Sequence, residues 1–179
     1  MAHENLPLSV WELEQFQRHV LTGHGRSAID VGCGWGVLTD AMARMGLWTT
    51  GYDWSPAAIE GAQSLFPNHQ RLSFEVHDFV MRTPPPHLRP GSLDVVSCRL
   101  VLPYLPLNLF LADVRRWLKP RTGVMYVVVQ VWENQQSGLR RGYPDAVIEG
   151  HRHGWRHTAR WSLDADGGYT ALALTGPSR

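Results

Sequence analysis

Seven residues between a short apolar run and a helical pattern, Asp30-Val31-Gly32-Cys33-Gly34-Trp35-Gly36, have the makings of a binding site. Glycines in such a turn adopt dihedrals closed to other residues and let a ligand approach the backbone. An aspartate just before them repels a pyrophosphate and attracts a cationic group. Val37 stands where a Gly-x-Gly-x-x-Gly dinucleotide site needs its third glycine, and no Lys-Ser/Thr pair follows to make a phosphate loop. Further along, Gly51-Tyr52-Asp53-Trp54-Ser55 ends a second apolar run, where a carboxylate can accept from both hydroxyls of a ribose. Val76-His77-Asp78-Phe79 ends a third, where a carboxylate can accept from an exocyclic amine. A fourth run, Leu93 to Cys98, leads into Arg99-Leu100.

Each of these segments needs a strand before it and a helix or loop after it. Ser27 to Val31, Leu47 to Tyr52, Leu72 to Val76, Leu93 to Cys98 and the β-branched Val124 to Val131 read as strands. Helices are expected over Ser9 to Leu21, Val37 to Met45, Ser55 to Pro67 and Asn108 to Leu118, with a short one within Tyr143 to Gly150. Ser9 and Glu12 fit a capping box, Gly23 a helix stop, and Ser55-Pro56 an N-cap and first turn. Trp155 to Leu163 and Tyr169 to Leu174 flank Asp164-Ala165-Asp166-Gly167-Gly168, a hairpin signal. Alternation of strand and helix through Val131 predicts an α/β fold with a parallel sheet and helices on both faces, the closing hairpin adding an antiparallel strand.

Taken together, these motifs resemble those of the class I S-adenosylmethionine-dependent methyltransferases of small molecules, from about Ser27 to Val131. Leu118-Lys119-Pro120-x-x-Gly123 before a β-branched strand is a further family habit. The resemblance implies a Rossmann-like seven-stranded, mostly parallel sheet in the order 3-2-1-4-5-7-6, with strand 7 antiparallel. It implies that the backbone of Gly32 and Gly34 lies against the cofactor's amino-acid part, that Asp53 holds the ribose, and that Asp78 meets the adenine amine with Phe79 beside the ring. Arg99 and Leu100 would lie near the methionine moiety. Asp30, Cys33, Trp35, Gly36 and Trp54 complete the expected cofactor-contacting set, with core packing an equal reading for Trp35. Asp53 and Asp78 read alternatively as turn residues, and Asp94 as solvent-facing or helix-contacting.

The implied reaction is in-line transfer of a methyl group from S-adenosylmethionine to a small-molecule acceptor through O, N or C, with S-adenosylhomocysteine as product. Alignment of the acceptor supplies much of the rate, and a base is needed only where an acceptor proton leaves early. Tyr104 is the first candidate beside the acceptor; His19, His24 and His151 are further candidates for a base. The absence of an Asn-Pro-Pro-Tyr sequence after strand four argues against amino methylation of nucleic-acid bases or glutamine. Two rival readings are an S-adenosylmethionine-binding enzyme of other chemistry, such as a cyclase, and a non-catalytic subunit of a larger methyltransferase.

The chain has 179 residues, which suits a single domain over 1–179, with 1–25 as an N-terminal helix or lid and 132–179 as a hairpin region. That length leaves no room for an inserted cap, which favours a small acceptor or an acceptor site completed by another subunit. The net charge of +1 offers no global field for nucleic acid or an anionic membrane. No apolar run approaches a membrane span and no signal peptide is legible, and two cysteines make no disulfide framework. A bacterial, cytoplasmic protein is expected. Cys33 and Cys98 read as small buried fillers. His151, His153 and His157 fit no common zinc spacing, so no metal is expected. Arg140, Arg141, Arg152, Arg156 and Arg160 read as a solvated basic face, with an anionic substrate group as the minority reading. Trp11, Trp132 and Trp155 read as exposed, suiting a planar acceptor or packing.

Overall fold

The computed structural model describes residues 6–20, 26–67, 69–134 and 142–178. In chain order the elements are α1 (Val10–His19), β1 (Ser27–Val31), α2 (Val37–Arg44), β2 (Trp48–Asp53), α3 (Pro56–Leu65), β3 (Leu72–Val76), β4 (Val95–Arg99), α4 (Leu107–Trp117), β5 (Val124–Gln130), α5 (Asp145–Gly150), β6 (Trp155–Ser162) and β7 (Tyr169–Pro177). Single 3-10 turns cover Leu102–Tyr104 and Trp132–Asn134. Leu21, Gly23, His24, Arg140 and Arg141 lie outside the described residues.

One seven-stranded sheet has the order β3-β2-β1-β4-β5-β7-β6, as the resemblance implies. The pairs β3–β2, β2–β1, β1–β4 and β4–β5 are parallel, and β7 runs antiparallel to both neighbours. β7 extends to Pro177, past the predicted Leu174, because its pairing with β6 continues to Trp155 opposite Pro177. β5 is buried on both faces from Val124 to Val129, which is why its sequence is a continuous apolar run rather than an alternation.

The two faces carry different helices. On one, Phe16 and Val20 of the α1 end and Leu38 and Met42 of α2 pack on Ala28, Val95, Tyr126 and Val128. α3 adds a smaller cluster of Ile59 and Ala62 against Phe74. On the other face, Phe110, Val114 and Trp117 of α4 and Ile148 of α5 cover Ile29, Val96, Cys98, Met125 and Val127. Burying each such large side chain contributes about 1.5–3 kcal/mol.

No helix links β3 to β4; that connection is a proline-rich loop. Its apolar residues fill the space a crossover helix would take. Leu88 is buried in the core beside Tyr52, and Phe79 packs against the same cluster. Among the described residues, no helix is long and apolar enough to cross a membrane.

Candidate functional site

The parallel strands β3, β2, β1 and β4 lie side by side, so their carboxyl ends form one edge. Along that edge stand, in order, Asp78, Asp53, the glycine turn and Arg99-Leu100. Adjacent strands are about 4.8 Å apart, so the four ends span roughly 14 Å and suit an elongated ligand. Backbone bonds hold the edge in register. Gly32 and Cys33 N–H donate to the Tyr52 carbonyl, His77 N–H to Asp53, and Leu100 N–H to Val128.

The three glycines of the turn all have positive φ, but for different reasons. A Cβ on Gly32 would meet the Val101 side chain at 2.7 Å, and one on Gly36 would meet the Phe74 ring at 2.5 Å. Those two are glycine because the fold packs against them. A Cβ on Gly34, at φ 53°, would meet nothing within 4 Å. Gly34 therefore opens to the space beyond the strand ends, and it alone of the three leaves room for a ligand at its backbone.

Asp53 is buried and holds this turn in place. Its Oδ2 accepts the Gly34 N–H at 2.9 Å and its Oδ1 the Ser55 N–H at 2.9 Å. Ser55 then caps α3 by accepting the Ala58 N–H. The turn reading of Asp53 is therefore real. Each carboxylate oxygen retains a second lone pair, so it does not exclude a ribose. Asp78 Oδ1 accepts the Val80 and Met81 N–H groups at 2.8 and 3.2 Å, while its Oδ2 has no hydrogen-bond partner among the described residues.

Asp30 lies beneath the turn rather than at its surface. It is buried on the α2 side, where Thr39 Oγ1 donates to it at 2.8 Å. Burial pushes its carboxyl up to about 6; the Thr39 and Ser97 hydroxyls and the Arg99 guanidinium oppose that rise. Any attraction to a cation acts through the field, not through contact at the turn's open face.

The remaining expected residues divide between inward-packed and exposed side chains. Phe79 faces inward, with its ring 5.6 Å from Tyr52 and about 6 Å from Phe110 and Trp117, because it fills the space left by the missing helix. Trp35 is 61% exposed and lies over Gly61 of α3. Trp54 is 72% exposed. Cys33 points to Gly51 within the α3 cluster, and burial pushes its thiol up, as it does that of the fully buried Cys98. Asp94 is not solvent-facing: it is buried, accepting the Ser27 N–H and the Lys119 ammonium. Trp155 is likewise 8% exposed, so the exposed reading fails for it; Arg115 covers its ring.

Arg99 shows the largest departure. Its Nε and Nη2 donate to both oxygens of Glu12 at 2.8 and 2.9 Å, and Nη2 also donates to the Leu6 carbonyl. Glu12 is 1% exposed and also accepts the Tyr126 hydroxyl at 2.9 Å. Ser9 Oγ does cap Glu12 N–H, but the Glu12 side chain turns into the protein rather than back to Ser9, so only half of the capping box forms. Sequence reasoning missed Glu12 as the partner of Arg99 and Tyr126 as a further donor to that carboxylate. The signal was a glutamate on the apolar face of an amphipathic helix.

Leu100, next to Arg99, has φ 61°, an uncommon conformation for a side-chain-bearing residue. Tyr104 ends the following 3-10 turn and is 47% exposed. His19 stacks on Trp161, and His151 lies half-buried edge-on to Tyr143, where burial pushes its ring down. Among the described residues, no three His, Cys, Asp or Glu side chains are grouped to hold a metal ion.

The family model described as a methyltransferase domain matches residues 28–121, which contain the whole of this edge. The chain belongs to the methyltransferase-domain family. Curated relatives of this methyltransferase domain include a ubiquinone biosynthesis O-methyltransferase of Albidiferax ferrireducens, 36% identical over 93 residues, covering 49% of this chain and 34% of the relative. Another, from Actinobacillus pleuropneumoniae, is 29% identical over 124 residues, covering 66% of this chain and 52% of the relative. The chain thus spans about a third to a half of the length of these relatives.

Solved structures share the fold. A putative methyltransferase complexed with the Haloferax volcanii Trm112 activator superposes with TM-score 0.73 at 20% identity, covering 93% of this chain and 88% of that one. A SAM-dependent methyltransferase from Aquifex aeolicus gives 0.70 at 14% identity, covering 92% and 88%.

Proposed function

We propose that this methyltransferase domain binds S-adenosylmethionine along the strand-end edge and transfers its methyl group to a small-molecule acceptor, releasing S-adenosylhomocysteine. The observation that carries this reading is the order Asp78, Asp53, Gly34, Leu100 along four adjacent strand ends, with Gly34 the one glycine of the turn's three that leaves free space at its Cβ position. When bound, the cofactor supplies an electrophilic methyl on a sulfonium with a neutral thioether as leaving group. The chain's part is to bind and align. Asp78 Oδ2 accepts the adenine amine. The remaining lone pairs of Asp53 accept the ribose hydroxyls. The backbone at Gly34 and Leu100 lines the methionine end, with Asp30 stabilising positive charge from below.

The inward turn of Phe79 leaves the adenine faces to other residues, and the exposed Trp54 stands nearest Asp53 in sequence for that role. Tyr104, half-exposed after β4, is the side chain we assign to the acceptor's side. The relatives' name, O-methyltransferase, favours an oxygen acceptor. We take residues 1–179 as one domain of a bacterial cytoplasmic protein, in keeping with the unpaired Cys33 and Cys98. The acceptor site is completed by a second subunit where the acceptor is large.

Two measurements test the reading. Calorimetry with S-adenosylmethionine on the isolated chain should show saturable binding; none would favour a non-catalytic subunit. A screen of small hydroxylated acceptors with methyl-labelled cofactor should yield labelled product and S-adenosylhomocysteine in equal amounts. Acceptor turnover without S-adenosylhomocysteine would mean other chemistry. Tyr104→Phe should lower turnover while leaving cofactor affinity unchanged.

A further inference from the structure

The end of the sheet opposite the glycine turn carries a second concavity. The turn Lys119-Pro120-Arg121-Thr122, Arg156 of β6, and Pro177-Ser178 at the end of β7 line a groove of about 760 Å³. A further groove of about 530 Å³ shares Pro120, Pro177 and Ser178 with it and adds Leu118 with Arg115 and Arg116 of α4. The walls thus combine the exposed Pro120, above the buried Leu118 and Pro177, with five cationic side chains, and no Asp or Glu lines either groove.

Not all of that charge is available. The Lys119 ammonium donates to both oxygens of Asp94, and Arg116 pairs with Asp113 at 2.8 Å. Arg115 keeps its charge: it donates to the His153 carbonyl and lies over the buried Trp155 ring. Arg121 and Arg156 have no carboxylate partner among the described residues and are exposed. Gly176, at φ 65°, lets them converge: a Cβ there would meet the Arg121 carbonyl and the Arg156 stem, both at 2.9 Å. By contrast, Arg152 and Arg160 of the same basic stretch are neutralised by Glu149 and Asp145. Arg121 and Arg156 therefore line the first groove and Arg115 the adjoining one, in a chain whose net charge is only +1.

We propose that these adjoining grooves dock an acidic segment of a partner protein, with an apolar side chain on the exposed Pro120 and its carboxylates on Arg121 and Arg156 of the first groove and Arg115 of the second. Guanidinium forks match carboxylates with paired hydrogen bonds, which favours this geometry. The groove walls hold no aromatic ring on which a nucleic-acid base could stack. The groove lies about 20 Å from the glycine turn, the length of β5 at roughly 3.3 Å per residue, so docking leaves the cofactor edge open.

The test uses the full chain and a short fluorescein-labelled peptide alternating Glu and Leu, followed by anisotropy at low and high salt. Saturable binding that weakens with salt, and weakens about tenfold or more in Arg121→Glu/Arg156→Glu, is the expected result. Arg121→Gln/Arg156→Gln should give a smaller loss in the same direction, and provides the answer if the charge-reversed variant fails to fold. Both variants should bind S-adenosylmethionine as the parent does. The proposal is overturned if the peptide does not bind, or if neither variant weakens it. It is also overturned if a labelled oligouridylate of equal length binds as tightly through the same arginines.

Discussion

Glu12 of α1 and Arg99 at the end of β4, 87 positions apart, form a two-pronged ion pair with N···O distances of 2.8 and 2.9 Å. The pair ties the N-terminal helix to the strand end beside the glycine turn, with Tyr126 completing the shell of the carboxylate. Removing one partner strands a mostly buried charge. Glu12→Ala should therefore cost about 3–5 kcal/mol in urea unfolding. Glu12→Met/Arg99→Met should recover most of it, since neither charge is then left unpaired. A double variant as unstable as Glu12→Ala would show that the pair does more than satisfy itself.

The Gly34 and Gly36 positions should respond oppositely. Gly36→Ala drives a methyl into Phe74 in a backbone conformation that disfavours side chains. It should destabilise the fold by about 2 kcal/mol or more. Gly34→Ala has open space and should cost only about 1–2 kcal/mol of stability. Its methyl occupies the space proposed for the cofactor, so S-adenosylmethionine affinity should fall at least tenfold by calorimetry. Unchanged affinity in Gly34→Ala would remove the cofactor from this turn.

Asp53→Ala should lose on both measures. Two backbone N–H groups, those of Gly34 and Ser55, lose their acceptor. A stability loss of about 1–3 kcal/mol is expected from unfolding curves. Cofactor affinity should fall by a similar amount. A stability loss with affinity intact would leave Asp53 as a clamp on the turn and withdraw its ribose role.

Asp30 carries a pH dependence of definite sign. Its carboxyl titrates at about 6 in the fold against 3.8 for an ordinary aspartate, because burial penalises the charge. Between those values the folded chain holds the extra proton. Asp30 thus favours folding at low pH, and that contribution is lost as pH rises through 6, by about 3 kcal/mol in all. Asp30→Asn should remove this loss. The stability of Asp30→Asn relative to the parent should rise between pH 4 and pH 7, as read from paired urea midpoints at each pH. A constant difference would mean that Asp30 does not titrate in that window.

The sequence by itself determined where the strands and helices fall, because apolar periodicity reports local burial. The glycine turn and the carboxylates at the ends of β2 and β3 were legible for the same reason: each is a local pattern at the end of a run. The order of the sheet came with the family resemblance, and the structure has that order. Only the tertiary structure decided which glycine is left open and which serve packing, since that depends on Phe74 arriving from β3 and Val101 from the segment after β4. It alone turned Phe79 and Trp155 inward, paired Glu12 with Arg99, and brought Arg121 and Arg156 together at Gly176. These contacts join residues distant in the chain. They are set by how helices and strand ends pack, which no periodicity within one element records.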